Sequence, residues 1–90
     1  MLEMNVIVSG NVQGVGFRAS VKSFAQSLGV VGFVRNLENG SVEICAQGQK
    51  ENLDRLLELI KKQFSNKYLQ AMKIVFCTPQ RQFKEFCIEH

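Results

Sequence analysis

Apolar and polar residues alternate at the start of the chain. Met4, Val6 and Val8 stand against Asn5, Ile7 and Ser9, a period of two that predicts a strand over residues 3–9. Ile7 interrupts the polar set, so the second face of this strand is expected to be partly covered. The period then changes. Phe17, Val21, Phe24, Ala25 and Leu28 recur at helical spacing and predict a helix over residues 17–28, stopped by Gly29. Val30 to Asn36, containing Phe33 and Val34, reads as a second strand. Asn39-Gly40 follows between two strand-like runs, the strongest short-range hairpin signal. The third strand, Ser41 to Ala46, sets Val42, Ile44 and Ala46 on one face. Leu53, Leu56, Leu57, Ile60 and Phe64 predict a second helix over residues 50–63. Its other face mixes Lys50, Glu51, Asp54, Arg55, Glu58, Lys61 and Lys62, most simply a solvated surface. Met72, Ile74 and Phe76 mark a fourth strand over residues 72–78. Phe83 to Glu89 reads as a short last strand, most apolar at Phe86 and Ile88.

The predicted order is β-α-β-β-α-β with an added C-terminal strand. Two helices over one face of an antiparallel sheet make a ferredoxin-like α+β sandwich. One domain over residues 1–90 is expected, large enough for one modest core. No leader pattern and no long apolar run is present, which predicts a cytoplasmic chain without a membrane span. Cys45, Cys77 and Cys87 form an odd set without CxxC spacing and read as reduced, partly buried thiols. The formal net charge of +3 suits small anions but does not argue for nucleic acid.

The charge matters most at one stretch, Gly10-Asn11-Val12-Gln13-Gly14-Val15-Gly16-Phe17-Arg18, between the first strand and the first helix. Its three glycines let the backbone turn tightly and expose N–H groups. The first N–H groups of the helix lack internal partners, and the dipole favours an anion there. Arg18 lies in the first turn, against the dipole, a placement that makes sense if an anion sits between it and the loop. A guanidinium grips two phosphate oxygens at once. The residues therefore predict a phosphate cradle made of the N–H groups of Val12, Gln13, Gly14, Val15, Gly16, Phe17 and Arg18, with the Arg18 side chain. The two parallel-running strands end at one sheet edge, which brings Asn36 towards the same place. Its neutral amide can hold a water but is no strong base.

The missing residues also select a chemistry. The cradle has no nearby His, Asp, Glu or Cys in a nucleophilic setting, and His90, the sole histidine, is expected to fray at the C-terminus. A phosphate monoester calls for an acid, a metal or a nucleophile. A carboxylic–phosphoric anhydride leaves as a carboxylate and needs no proton near neutral pH. Positioning and charge stabilisation are sufficient for that substrate.

GNVQGVGFR, GFVRN and NGSVE closely resemble the acylphosphatase family, with high specificity from Val6 to Gly48 and more weakly to Phe86-Cys87-Ile88. The resemblance implies hydrolysis of small acyl phosphates, with Arg18 binding the phosphoryl group and Asn36 orienting the attacking water. It implies no metal, no cofactor and no phosphoenzyme. Phe33 stands where the family often has tryptophan. Asn11, Ala19-Ser20 and Gln63-Phe64-Ser65-Asn66 depart from the common pattern, the first two near the cradle and the third expected to alter only a distant loop.

Other readings stand beside this one. Gly14 and Gly16 serve a tight turn in any case, Arg18 is able to pair with a surface carboxylate, and Asn36 to open the hairpin turn. Arg35 and Lys22 read as solvated. Gly14-Val15-Gly16 is no dinucleotide fingerprint, since Ala19 occupies the third glycine position, and no Gly-Lys-Ser/Thr follows. A non-catalytic module that binds phosphate, acyl phosphate or RNA is the alternative function. Its RNA version is weak, because the third strand carries no aromatic residue. The expected partner is a small acyl phosphate, with no nucleic acid or membrane, and the expected state is a monomer.

Overall fold

The computed structural model describes residues 1–90, apart from the side chains of Asn66 and Lys67. The elements run β1 (Leu2–Gly10), α1 (Phe17–Ser27), β2 (Val31–Asn36), β3 (Val42–Gly48), α2 (Lys50–Tyr68), β4 (Leu69–Cys77) and β5 (Phe86–Glu89). They form a five-stranded sheet in the order β4-β1-β3-β2-β5. Strand β1 pairs antiparallel with β3 and β4, and β2 pairs antiparallel with β3. Thus β1 and β2 run the same way, as expected. Strand β5 lies parallel to β2, which makes the sheet mixed at that edge. The α+β sandwich with its short extra strand is the fold that the periodicities predict.

One face of the sheet holds the core. Met4, Val6 and Val8 of β1 and Val42, Ile44 and Ala46 of β3 are buried against Phe17, Val21 and Ala25 of α1 and Leu53, Leu56 and Ile60 of α2. Burial of the Val, Leu, Ile, Phe and Met side chains among these contributes about 1.5–3 kcal/mol each. The other face is covered in part by residues 79–85. Phe83 packs edge-on against Phe33 with ring centroids 5.9 Å apart, and Arg81 lies over both rings at 5.3 and 5.2 Å. Phe83 was expected in the last strand. It instead belongs to the segment that crosses the sheet, which leaves β5 only four residues long. Ile7, on this face, is half-buried, as its place in the polar set of β1 suggests.

Beneath the cover, Glu3 accepts hydrogen bonds from Asn5 Nδ2 and Gln47 Nε2, both at 2.9 Å, and Gln47 Nε2 also donates to Arg81 O at 2.7 Å. Burial alone would push the Glu3 carboxyl up. The bonds from Asn5, Gln47, Cys77 and the Gln80 backbone outweigh it and hold the group below its ordinary value of 4.5.

Helix α2 continues past its predicted end at residue 63, through a kink at Ser65, and β4 begins at once. Tyr68 extends the apolar stripe by one more step of four, its ring 6.1 Å from that of Phe64. No loop separates α2 from β4, so the Gln63–Asn66 departure falls inside the helix. The charged face of α2 forms Lys50–Asp54 and Arg55–Glu58 pairs.

Candidate active site

Strand β1 ends in a register shift at Ser9/Gly10, after which Asn11 N donates to Tyr68 O at 2.9 Å. The loop that follows is anchored at both ends by buried apolar residues, Val12 and Phe17. Phe17 meets Phe64 edge-on at 4.8 Å, which fixes the start of α1 against α2. Between the anchors, Gly14 and Gly16 take φ values of 80° and 78°. A Cβ at either position would meet nothing within 4 Å, so glycine is needed for its backbone freedom and not for space.

The beginning of α1 is electrically bare. Gly16 is its N-cap, no side chain caps it, and no acid lies in the first turn. The first intrahelical bond runs from Ser20 N to Gly16 O at 3.0 Å. The N–H groups of Phe17, Arg18 and Ala19 therefore have no acceptor inside the helix. Helix α2, by contrast, has Glu51 in its first turn. Arg18 takes part in none of the ion pairs formed among the described residues, which are Arg35–Glu43, Lys50–Asp54 and Arg55–Glu58. The surface-carboxylate alternative for Arg18 is therefore not realised. Arg35 is exposed, as expected, and pairs with Glu43 at 2.6 Å.

His90, exposed at the end of β5, is placed beside the loop. Because β5 runs parallel to β2, with Arg35 opposite Glu89, the chain is carried to the edge where β2 ends. His90 Nδ1 lies 3.5 Å from Arg18 Nη1. Together Val12, Gly14, Gly16, Phe17, Arg18, Ala19, Ile88 and His90 line a concavity of about 180 Å³. The sequence signal for this lay in Phe86 and Ile88, whose alternation marked the last strand. The parallel pairing that aims it was not legible.

Asn36 closes β2, beside the strand end that leads to His90. It does not line the concavity. Its Oδ1 is buried and has no hydrogen-bond partner. Nor does it make the hairpin turn: there Asn39 Oδ1 accepts from Ser41 N at 3.0 Å and from Ser41 Oγ. The turn-opening reading of Asn36 therefore lacks the contact it needs. The loop and the hairpin are joined instead by Gln13, whose side-chain amide bonds Leu37 O at 2.8 Å and Ser41 O at 2.9 Å. Sequence reasoning used only the backbone of Gln13, and nothing local to it signalled this side-chain contact.

Among the described residues, no three His, Cys, Asp or Glu side chains gather as metal ligands do. Cys45 is buried, Cys77 half-buried and Cys87 exposed, all unpaired. Burial and the Glu3 charge push the Cys45 thiol up to about 11.

Fold and loop together define a small α+β protein with an anion-favouring strand–loop–helix at one sheet edge. The acylphosphatase family model matches residues 4–88, and the chain belongs to the acylphosphatase family of enzymes. An acylphosphatase of Acaryochloris marina is 50% identical over 58 residues, 64% of this chain and 62% of that protein. One from Roseiflexus sp. is 34% identical over 88 residues, covering 98% of this chain and 95% of its own. The crystal structure of acylphosphatase from Bacillus subtilis superposes with a TM-score of 0.92 at 31% identity, over the whole of both chains.

Proposed function

We propose that this chain hydrolyses small acyl phosphates to a carboxylate and phosphate by direct attack of water. The phosphoryl group sits on the N–H groups of residues 12–18, with the Arg18 guanidinium across its oxygens. Both act as fixed positive charge where negative charge is held through the reaction. The side-chain amide of Asn36 orients the attacking water in line with the leaving group. The water oxygen forms the new P–O bond as the bond to the carboxylate oxygen breaks, and the proton of the water passes to solvent. The carboxylate departs without a proton, because carboxyl groups are ionised near neutral pH. No metal or cofactor enters this scheme.

The observation that carries the proposal is the start of α1. It has no side-chain cap and no acid in its first turn, and its arginine takes part in none of the described ion pairs. The Asn36 oxygen has no protein partner, which leaves the amide uncommitted to a structural hydrogen bond. The RNA alternative is disfavoured, because Phe33 is only 4% exposed beneath the covering segment. A cytoplasmic monomer whose partner is its substrate completes the proposal. No helix among the described residues is long and apolar enough to cross a membrane.

The test is phosphate release from benzoyl phosphate in the presence of a chelator. Turnover survives chelation, is lost in Arg18→Gln, and falls severely in Asn36→Ala. Phosphate binding without turnover would favour a non-catalytic anion module instead.

A further inference from the structure

The cradle and the strand end that carries Asn36 belong to different parts of the chain. Strand β3 lies between β1 and β2 in the sheet, so the two ends stand about 10 Å apart, two strand spacings. Water attack tolerates little error in their relative position. A misplacement of about 1 Å can cost roughly 100-fold in rate. Something must fix the loop against the hairpin, and glycine-rich backbone alone does not.

From this geometry we infer that Gln13 is a positioning residue for the proposed hydrolysis, acting through Asn36. Its Nε2 spends both hydrogens on two carbonyls, Leu37 O at 2.8 Å and Ser41 O at 2.9 Å. These carbonyls flank the neck of the β2–β3 hairpin, which Leu37 N→Ser41 O at 2.8 Å already closes. Leu37 directly follows Asn36, so the clamp sits one residue from the water-orienting amide. Among the described residues, no other side-chain hydrogen bond joins residues 10–16 to residues 36–42. The clamp leaves the cradle itself to other forces: the two glycine conformations, the buried Val12 and Phe17, and the Asn11 N–H on Tyr68 O. Loss of the clamp therefore frees the cradle and Asn36 from each other without dismantling the cradle.

This inference rests on the reading of Arg18 and Asn36 given above, and its signature differs from that of a structural residue. Gln13→Met keeps length and bulk but removes the donors. Gln13→Asn keeps the amide and withdraws it by one methylene. Both are expected to lower kcat for benzoyl phosphate roughly 10–100-fold, while KM and the inhibition constant of inorganic phosphate stay within about twofold. In an Asn36→Ala background the same substitutions cost less than about twofold, because the group they aim is already gone. Unchanged kcat in a folded Gln13→Met chain overturns the inference. So does an equal loss in the Asn36→Ala background, or a rise in the phosphate inhibition constant matching the fall in kcat. A wild-type chain that releases no phosphate from benzoyl phosphate overturns the underlying hydrolase reading, a result separable from all of these.

Discussion

Asn36→Leu separates what the residue does for folding from what it does for chemistry. The side chain is half-buried, yet its oxygen is fully shielded and unbonded. A buried polar group without a partner costs about 1–3 kcal/mol. Asparagine is also poor in strands, on a scale spanning about 1 kcal/mol. Leucine has similar bulk, removes the orphaned acceptor and suits the strand better. Against this stands the lost amide nitrogen, whose bonds to solvent are nearly neutral in net stability. The balance is a gain of about 1 kcal/mol. For a domain of this size that raises the melting temperature by about 4–8 °C. Hydrolysis of benzoyl phosphate falls at least about 100-fold, since the water loses the amide that orients it. Thermal and urea unfolding, read beside steady-state kinetics on one preparation, measure both. A loss of more than 1 kcal/mol on substitution would mean that the oxygen is bonded and structural, and the water role would go with it. Full activity in a stabilised variant would refute the chemistry alone.

Three further outcomes follow from particular contacts. Gly32→Ala places a Cβ 1.9 Å from Cys45 O at a φ of 139°, so this chain should fail to fold, as far-ultraviolet dichroism would report; Gly16→Ala meets open space and costs only about 1–2 kcal/mol in the urea midpoint. Glu3 is held below its ordinary value of 4.5, so its contribution is complete above that pH and disappears as pH falls through the lowered value. Glu3→Gln, whose single oxygen accepts from only one of Asn5 and Gln47 while its NH2 faces the other donor, costs about 1–3 kcal/mol at pH 7 and flattens the acid limb of the stability profile. Native alkylation with iodoacetamide, followed by mass spectrometry, modifies the exposed Cys87 first and spares Cys45, whose buried thiol is held near 11; early label on Cys45 would mean that the 79–85 cover opens readily.

The alternation of Met4, Val6 and Val8, the Phe17–Leu28 stripe and Asn39-Gly40 each specify one local geometry, and each element stands where its pattern predicts. Local agreement of this kind makes the fold readable. The ends of elements are less so. Along the sequence the stripe of α2 breaks off at Phe64, because its next member, Tyr68, is amphipathic and lies beyond three polar residues. The candidate site divides in the same way. Gly14, Gly16 and Arg18 are neighbours in sequence, and their backbone demands are legible. The approach of His90 depends on β5 pairing parallel with β2, and the Gln13 contact spans 24 and 28 residues. Neither leaves a periodic trace, since single polar contacts across the fold repeat nowhere along the chain.

The parallel seating of β5 has a practical side. A tag, linker or surface tether joined after His90 would emerge at the mouth of the concavity, beside the guanidinium proposed to bind the phosphoryl group. Met1, 73% exposed, stands at the far end of the strands, roughly 30 Å away by the length of β1. Fusion partners therefore belong on the amino-terminal side, where they leave the proposed catalytic edge open.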